Sequence, residues 1–317
     1  MANLAFVFPG QGSQSVGMLA ELGEAYPLVK DTFKLVSDEL GYDLWQLVQN
    51  GPESRLSQTE YTQVAMLTAD VAVFNVLKQH DIPRPRFMAG HSLGEYAALV
   101  CAKALDLRTA AKLVEKRGQL MQQTVPLGAG AMAAIVGLSD EQVIELCQQS
   151  SDQQFKVSPA NYNAIGQVVI AGHSSAVEKA ILQAEKSGAK LAKLIPVSVP
   201  CHCDLLMDAA QAFEAHLNAA NFRTPELPVV SNVNLAVYQS IQQIKSLLKE
   251  QLYSPVRWVE TIQLFKANGV EHIIECGPGR VLSGLTKRID RSLSAACVYD
   301  TESMDAALSQ WETSECC

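Results

Sequence analysis

A pentapeptide of the form G-x-S-x-G, Gly90-His91-Ser92-Leu93-Gly94, stands between the apolar stretch FMA and the helical stretch EYAALVCAKAL. A turn that leads so tightly from a strand into a helix leaves no space for side chains on either side of its centre, so glycine occupies both flanking positions. The turn exposes the serine hydroxyl at the carboxyl edge of a sheet, above a helix N-terminus. The pattern predicts an α/β fold with Ser92 as a nucleophile, and a purely structural turn is the alternative.

Short apolar segments alternate with longer helical patterns along residues 1–127, which predicts a mainly parallel sheet with helices on both faces. From residue 128 the order becomes strand, helix, strand, strand, helix, strand, as in a ferredoxin-like unit. After residue 197 the alternation returns. We therefore expect one α/β domain, residues 1–127 and 198–317, interrupted by a small inserted subdomain, residues 128–197. The predicted strands are LAFVF, RPRFMAG, AMAAIVG, FKVSPA, QVVIAG, AKLAKLIPV, LPVVSN and VEHIIECG.

The charge balance argues against nonspecific nucleic-acid binding, because the chain has 25 Lys and Arg residues against 33 Asp and Glu residues and a net charge of -8. An anionic ligand must therefore meet a local basic site. The start MANLAFVF lacks a basic flank, and no uncharged apolar stretch reaches about 18 residues, so we expect a cytoplasmic protein without membrane contact. The eight cysteines include no C-x-x-C pair, which favours reduced thiols, and the tail SECC is expected to fray.

The first loop, PGQGSQSVG, carries glycines after a strand but does not match a nucleotide site. Gly10 and Gly12 fit the first two positions of G-x-G-x-x-G, whereas Ser15 occupies the third and no acidic residue ends a second strand at the required distance. No Gly-Lys-Ser/Thr follows either, so no nucleotide cofactor is predicted. The glycines instead let the amide of Gln11 approach closely, and with the amide of Leu93 it would form an oxyanion hole.

A nucleophilic serine needs a base, and six histidines compete for that role. The helix or strand positions of His80, His216 and His272 favour structural roles. His173 lies at a helix start, and His91 is expected to line the site without reaching the serine oxygen.

His202 remains, in the segment VPCHCD where the chain returns from the insert. Cys201 and Cys203 beside it suggest zinc, but three consecutive ligands are sterically awkward and no second cysteine pair is present, so no metal is predicted. No loop carboxylate between residues 92 and 202 stands out to orient this histidine. A backbone carbonyl is therefore the favoured acceptor for its Nδ1 proton.

Arg117, in KLVEKRGQLMQ, has two interpretations. Most helix arginines are solvated or pair on the surface, here with Glu115. A guanidinium can also bind a substrate carboxylate in a planar, bidentate fashion. The residues alone leave both open.

Motifs along nearly the whole chain resemble the malonyl-CoA:acyl-carrier-protein transacylase family of bacterial fatty acid synthesis. They are FPGQGSQ, GHSLGEYAAL, KRGQLMQ followed by GAGAMAAI, ANYNAIGQVVIAG, SVPCHCDLLM, QLYSPVRW and ECGPGRVLSGLTKRI. The resemblance implies an α/β-hydrolase-like core with an inserted ferredoxin-like subdomain. It also implies that Ser92 is the nucleophile, that His202 is the base, and that the backbone carbonyl of Gln251 orients this base. The amides of Gln11 and Leu93 would form the oxyanion hole. Contacts to the substrate would come from Arg117, Gln63, His91 and Asn163.

The resemblance implies transfer of a malonyl group from malonyl-CoA, through a malonyl-serine, to the phosphopantetheine thiol of acyl carrier protein. Carrier proteins are acidic, so docking would use basic residues. Two clusters are candidates, and each could equally be a solvated face: Lys186, Lys190 and Lys193, or Arg280, Lys287, Arg288 and Arg291. The rival functions are a serine hydrolase of esters or thioesters, in which Arg117 would be useless to a neutral ester, and a noncatalytic carrier-binding module, which would need neither Ser92 nor His202.

Overall fold

The computed structural model describes residues 3–312, and the side chains through residue 309. The tail SECC, with Cys316 and Cys317, lies outside the described residues. The strands are Leu4–Phe8 (β1), Phe87–Gly90 (β2), Gly130–Val136 (β3), Val157–Ala164 (β4), Gln167–His173 (β5), Leu191–Ile195 (β6), His272–Cys276 (β7) and Ser294–Val298 (β8).

Helices separate most of these strands, although β5 follows β4 directly, and a short 3-10 turn covers Asp204–Leu206. They are Ala20–Ala25 (α1), Pro27–Leu40 (α2), Leu44–Asn50 (α3), Glu53–Leu56 (α4), Thr59–Leu77 (α5), Gly94–Cys101 (α6), Leu107–Thr124 (α7), Asp140–Ser150 (α8), Ser174–Lys186 (α9), Met207–Ala219 (α10), Ile241–Glu250 (α11), Trp258–Ala267 (α12), Val281–Ile289 (α13) and Thr301–Glu312 (α14). Within the described residues, no helix combines the length and apolar character needed to cross a bilayer.

A parallel sheet in the order β2-β1-β7-β8 forms the centre of the larger part. All five residues of β1 are buried, as expected for a strand covered by helices on both faces. Because parallel strands point the same way, the loops that follow β1, β2 and β7 meet at one edge. The first loop and the G-x-S-x-G turn are therefore neighbours, and an added Cβ on Gly10 would lie 2.5 Å from the carbonyl oxygen of His91.

A second sheet, fully antiparallel, has the order β4-β5-β3-β6. Helices α8 and α9 cover one face with a core of their own, which includes Val143, Val168, Ile170 and Val177. Ser139 begins α8 with a capping box, since its hydroxyl accepts from the Gln142 amide and the Gln142 side chain accepts in return. The predicted order of strands and helices over this segment is confirmed.

The strand predicted over residues 227–232 is wrong as a regular element. Val229 bridges Met88 and Val230 bridges Val237, and these are isolated bridges only. Pro228 has no amide hydrogen to extend a ladder, and the chain turns back at once toward Val237. The segment nevertheless lies beside β2, which brings residues 231 and 232 close to the serine turn.

Candidate active site

Ser92 occupies a strained turn at the end of β2, with φ of +52°, in the left-handed region that a serine rarely adopts. Close contacts explain the flanking glycines: a Cβ on Gly90 would lie 1.8 Å from the carbonyl carbon of Gly94, and one on Gly94 would lie 2.1 Å from the oxygen of Phe8. The Asn232 side chain braces the turn, because its Oδ1 accepts from the Ser92 amide and its Nδ2 donates to the Gly90 oxygen, each over 2.7 Å. The turn is therefore fixed by packing and by hydrogen bonds.

His202 lies against the serine. Its Nε2 is 2.7 Å from the Ser92 hydroxyl oxygen, and its Nδ1 donates to the main-chain oxygen of Gln251 over 2.7 Å. A carbonyl oxygen can only accept, so it places the proton on Nδ1 and leaves Nε2 free to take the serine proton. The geometry is that of a nucleophile and its base, with a backbone carbonyl as the third group.

The imidazole of His202 is 2% exposed, and its environment disfavours the charged form. Burial lowers the pKa of His202 to about 3, and the positive charge of Arg117 contributes in the same direction, while the Gln251 carbonyl opposes it. The histidine is therefore neutral at pH 7. A neutral imidazole is the form that can accept a proton from Ser92.

Arg117 is buried, with 2% of its surface exposed, which excludes the solvated surface interpretation and a role as partner of Glu115. Its Nη2 lies 3.5 Å from the Ser92 hydroxyl oxygen. Two amide oxygens accept from its guanidinium, that of Gln63 over 2.9 Å and that of the Gln251 side chain over 3.0 Å. The cation therefore faces the point at which an acyl group on Ser92 would begin.

Gln11 and Leu93, whose main-chain amides are the candidate oxyanion donors, both border the same cleft as Ser92. Within residues 3–312, neither amide donates a hydrogen bond to another protein group. The Gln14 side chain accepts from the Gly12 amide over 2.7 Å and so braces the loop that carries Gln11. Two free amides beside the nucleophile suit an oxyanion hole.

The cleft has a volume of about 230 Å³ and lies between the parallel-sheet edge and the antiparallel sheet. The antiparallel sheet contributes apolar wall residues, among them Met132, Val169 and Ile195. His91 and Asn163 form a polar part of the wall, joined by a hydrogen bond of 2.8 Å between His91 Nε2 and Asn163 Oδ1. Gln63 is buried and contacts Arg117, so it supports the cation and does not line the cleft.

The other predicted candidates lie outside this constellation. His80, His173, His216 and His272 do not border the cleft, and His173 accepts from the Lys156 amide. Among the described residues, no group of His, Cys, Asp and Glu could hold a metal ion. Cys201 borders the cleft, whereas Cys203 lies behind the cleft wall, buried in the apolar cluster that includes Met132 and Val169.

Three functional neighbours were missed at the level of sequence: Glu95, Asn232 and Tyr238. All are buried, and Glu95 accepts hydrogen bonds from the Tyr238 hydroxyl, the Gln251 side chain (2.6 Å) and the Asn232 amide (3.3 Å). An acidic residue in the first turn of an otherwise apolar helix, directly after the serine turn, was the available signal for Glu95. Asn232 and Tyr238 lie in an irregular segment that carries no comparable pattern.

The acyl transferase domain family matches residues 5–301. The chain belongs to this family. A malonyl CoA-acyl carrier protein transacylase of Escherichia coli O157:H7 is 50% identical over 97% of this chain and 99% of its own length.

Solved structures agree with that similarity. An acyl carrier protein S-malonyltransferase from Vibrio cholerae O1 biovar eltor is 52% identical, with a TM-score of 0.94 over 96% of this chain and all of that chain. A malonyl-transacylase solved in complex with its type II PKS acyl-carrier protein is 50% identical, with a TM-score of 0.96 over 98% of this chain and all of that one. This acyltransferase has the mixed α/β architecture of those structures, with one parallel and one antiparallel sheet.

Proposed function

We propose that this acyltransferase moves a malonyl group from malonyl-CoA to the phosphopantetheine thiol of an acyl carrier protein, in fatty acid biosynthesis. One observation carries the choice of acyl group. The buried guanidinium of Arg117 lies 3.5 Å from the Ser92 hydroxyl oxygen, and no carboxylate among the described side chains pairs with it. A buried cation that hydrogen-bonds to neutral amides and contacts no carboxylate directly favours a ligand that brings one.

The first half-reaction follows from the site geometry. His202 Nε2 removes the proton of Ser92 as the hydroxyl oxygen attacks the thioester carbonyl carbon, and the amides of Gln11 and Leu93 stabilise the oxyanion. Collapse of the tetrahedral intermediate breaks the carbon–sulfur bond, and the proton on His202 passes to the leaving thiolate of coenzyme A. A malonyl-serine ester remains.

The second half-reaction runs the same steps in reverse. The carrier thiol enters the cleft, His202 takes its proton, and the thiolate sulfur attacks the malonyl ester. The carbon–oxygen bond breaks, and Ser92 regains a proton from His202. Apolar residues of the antiparallel sheet border the cleft and reduce the access of water to the ester.

Substrate recognition and base strength are coupled in this arrangement. Arg117 is one of the causes that lower the pKa of His202. A malonyl carboxylate paired with Arg117 neutralises that charge, so the imidazolium that forms during attack meets less repulsion. An acyl group whose carboxylate pairs with Arg117 therefore also makes His202 a stronger base.

We also propose a finer description of the architecture. An α/β-hydrolase-like catalytic subdomain, residues 1–127 and 198–317, is supported by the strand, serine turn and helix of the parallel sheet. A ferredoxin-like insert, residues 128–197, is supported by its strand order β4-β5-β3-β6 with α8 and α9 on one face. The cleft between them holds the proposed reaction.

The carrier protein docks, on this proposal, near the basic cluster at α13. Val281, Leu282 and Leu285 of that helix border the cleft, and Arg280, Lys287, Arg288 and Arg291 belong to or flank the same helix. An acidic carrier bound there would place its pantetheine arm at the cleft mouth. Lys186, Lys190 and Lys193 are the alternative.

The decisive experiment measures the intact mass of the protein after incubation with malonyl-CoA, and then after addition of the holo carrier protein. We expect one malonyl group on the protein and its transfer to the carrier. Release of free malonate at the rate of loading, with none on the carrier, would identify a hydrolase.

A further inference from the structure

Arg117 is a buried cation whose contacts are almost all neutral. Its guanidinium donates to the side-chain oxygens of Gln63 and Gln251, and among residues 3–312 its Nε finds no hydrogen-bond partner. The ring of Tyr96 lies 5.8 Å from its central carbon. Burial of a charge without compensation is strongly unfavourable, so the surroundings must supply a negative charge.

The carboxylate of Glu95 supplies that charge, and the side-chain amide of Gln251 lies between it and the guanidinium. The side-chain Nε2 of Gln251 donates to the Glu95 carboxylate over 2.6 Å, and the Oε1 of the same amide accepts from Arg117 over 3.0 Å. A carboxylate only accepts and a guanidinium only donates, so the two charged groups fix which end of the amide faces each of them. The order carboxylate, amide, guanidinium is thereby determined.

The carboxylate itself is firmly placed. Tyr238 and Asn232 donate to it, and its position in the first turn of α6 stabilises a negative charge. Burial raises the pKa of Glu95 to about 7, and the hydrogen bonds from Tyr238 and Gln251 oppose that effect. At pH 8 the ionised form therefore predominates.

We propose that Glu95 is a positioning residue for acyl selection. Through the Gln251 amide it holds Arg117 in place and balances its charge without pairing with it directly. The guanidinium thus stays available to a carboxylate on the acyl group of Ser92. This inference depends on the proposed malonyl transfer.

The test compares kcat/KM for malonyl-CoA and acetyl-CoA at pH 8 in the wild type and in two variants that break the link at different atoms. Glu95→Gln removes the charge, and Gln251→Met removes the amide but keeps the backbone carbonyl that orients His202. We expect each to lower the malonyl-to-acetyl ratio by roughly tenfold or more, because Glu95→Gln replaces a charged acceptor with a neutral one and Gln251→Met loses the hydrogen bond to Arg117. If Glu95 and Gln251 only stabilised the fold, each variant would lower kcat/KM for both substrates by the same factor and leave the ratio unchanged.

Glu275→Gln is the matched control. Glu275 is equally buried, and it accepts from the amides of Leu282 and Ser283 at the start of α13, without a contact to Arg117. This variant should keep the wild-type ratio whatever it does to stability. If Glu95→Gln fails to fold, the ratio measured for Gln251→Met decides the question.

An exchange of the two groups sharpens the test. The double variant E95Q/Q251E keeps one charge and one amide but puts the carboxylate directly against Arg117. On our proposal the ion pair occupies the guanidinium, so the malonyl preference stays low even in a folded protein. Recovery of the wild-type ratio in the double variant, or a wild-type ratio in both single variants, would overturn the inference. Absence of malonyl loading in the wild type would instead overturn the proposed function.

Discussion

His202 donates its Nδ1 proton to the main-chain oxygen of Gln251 over 2.7 Å, while the side chain of the same Gln251 accepts from Arg117 over 3.0 Å. One residue therefore orients both the base and the cation beside Ser92. Because Gln251 is fully buried directly after α11, movement at this helix end would disturb both groups together. The site is one connected network, and its members are expected to respond to substitution in distinct ways.

Ser92→Ala should abolish covalent loading. The wild type should gain one malonyl group from malonyl-CoA, and the alanine variant none, because Ser92 carries the hydroxyl that contacts the base His202. Intact-mass measurement checks this. Cys201→Ala is the control, since Cys201 is the thiol that borders the same cleft, and this variant should still load. A stable adduct on Ser92→Ala, or on a cysteine peptide, would contradict the assignment.

His202→Ala should slow both half-reactions about a hundredfold or more, because a general base typically contributes that much. Single-turnover rates of loading and of transfer to the carrier measure the effect, and circular dichroism checks the fold. His91→Ala provides the comparison, since its imidazole bonds to Asn163 and not to the serine. A near-normal rate in His202→Ala together with a large loss of rate in His91→Ala would mean that His91 is the general base and His202 is not.

Arg117→Ala should change the substrate preference without inactivating the chemistry. The malonyl carboxylate would lose its partner in a shielded cleft, at a cost of roughly 3 to 5 kcal/mol. Acetyl transfer should persist or improve, because acetyl has no carboxylate and leaves the wild-type cation unpaired. Values of kcat/KM for both substrates on both proteins measure the change. Equal losses would mean that Arg117 supports the structure or binds coenzyme A.

Acid should destabilise the fold partly through His202. Its pKa is about 3 in the folded protein and about 6.5 in an unfolded chain, so between these values only the unfolded chain gains the proton. Stability is therefore lost as the pH falls below about 6.5, and by pH 5 the loss from this residue reaches about 2 kcal/mol. Urea unfolding at pH 7.5 and pH 5 should show a smaller decrease for His202→Gln. An identical decrease in both proteins would refute the account.

Replacement of glycine by alanine should destabilise the fold in the serine turn but not at an uncrowded helix position. Gly90→Ala would place a methyl group 1.8 Å from the carbonyl carbon of Gly94, so we expect a loss of at least about 2 kcal/mol in unfolding free energy. Gly284 is the control, because it lies in α13 and, apart from its chain neighbours and the nearby backbone of that helix, no atom of the described residues lies within 4 Å of an added Cβ. Gly284→Ala should be neutral or stabilise by up to about 1 kcal/mol. Similar melting temperatures for the two variants would be inconsistent with the crowding argument.

The local elements were predictable because their signals are local. The pattern of strand, glycine-flanked serine and helix predicted the turn at Ser92, and the confirmed order of elements over residues 130–195 followed from periodicity and turn residues. The irregular segment around Asn232 was not predictable in the same way. Its conformation depends on a few bridges to Met88 and on hydrogen bonds to Glu95 and to the turn itself.

The sequence by itself determined the α/β class and the sharp turn, and it predicted Ser92 and His202 as nucleophile and base. Only the tertiary structure decided that Arg117 is buried against Ser92, that Gln63 supports it, and that Glu95 balances it through Gln251. The physical reason is the separation along the chain. Turns and helices form from neighbours, whereas the Ser92–His202 contact joins residues 110 positions apart and exists only when both sheets have packed.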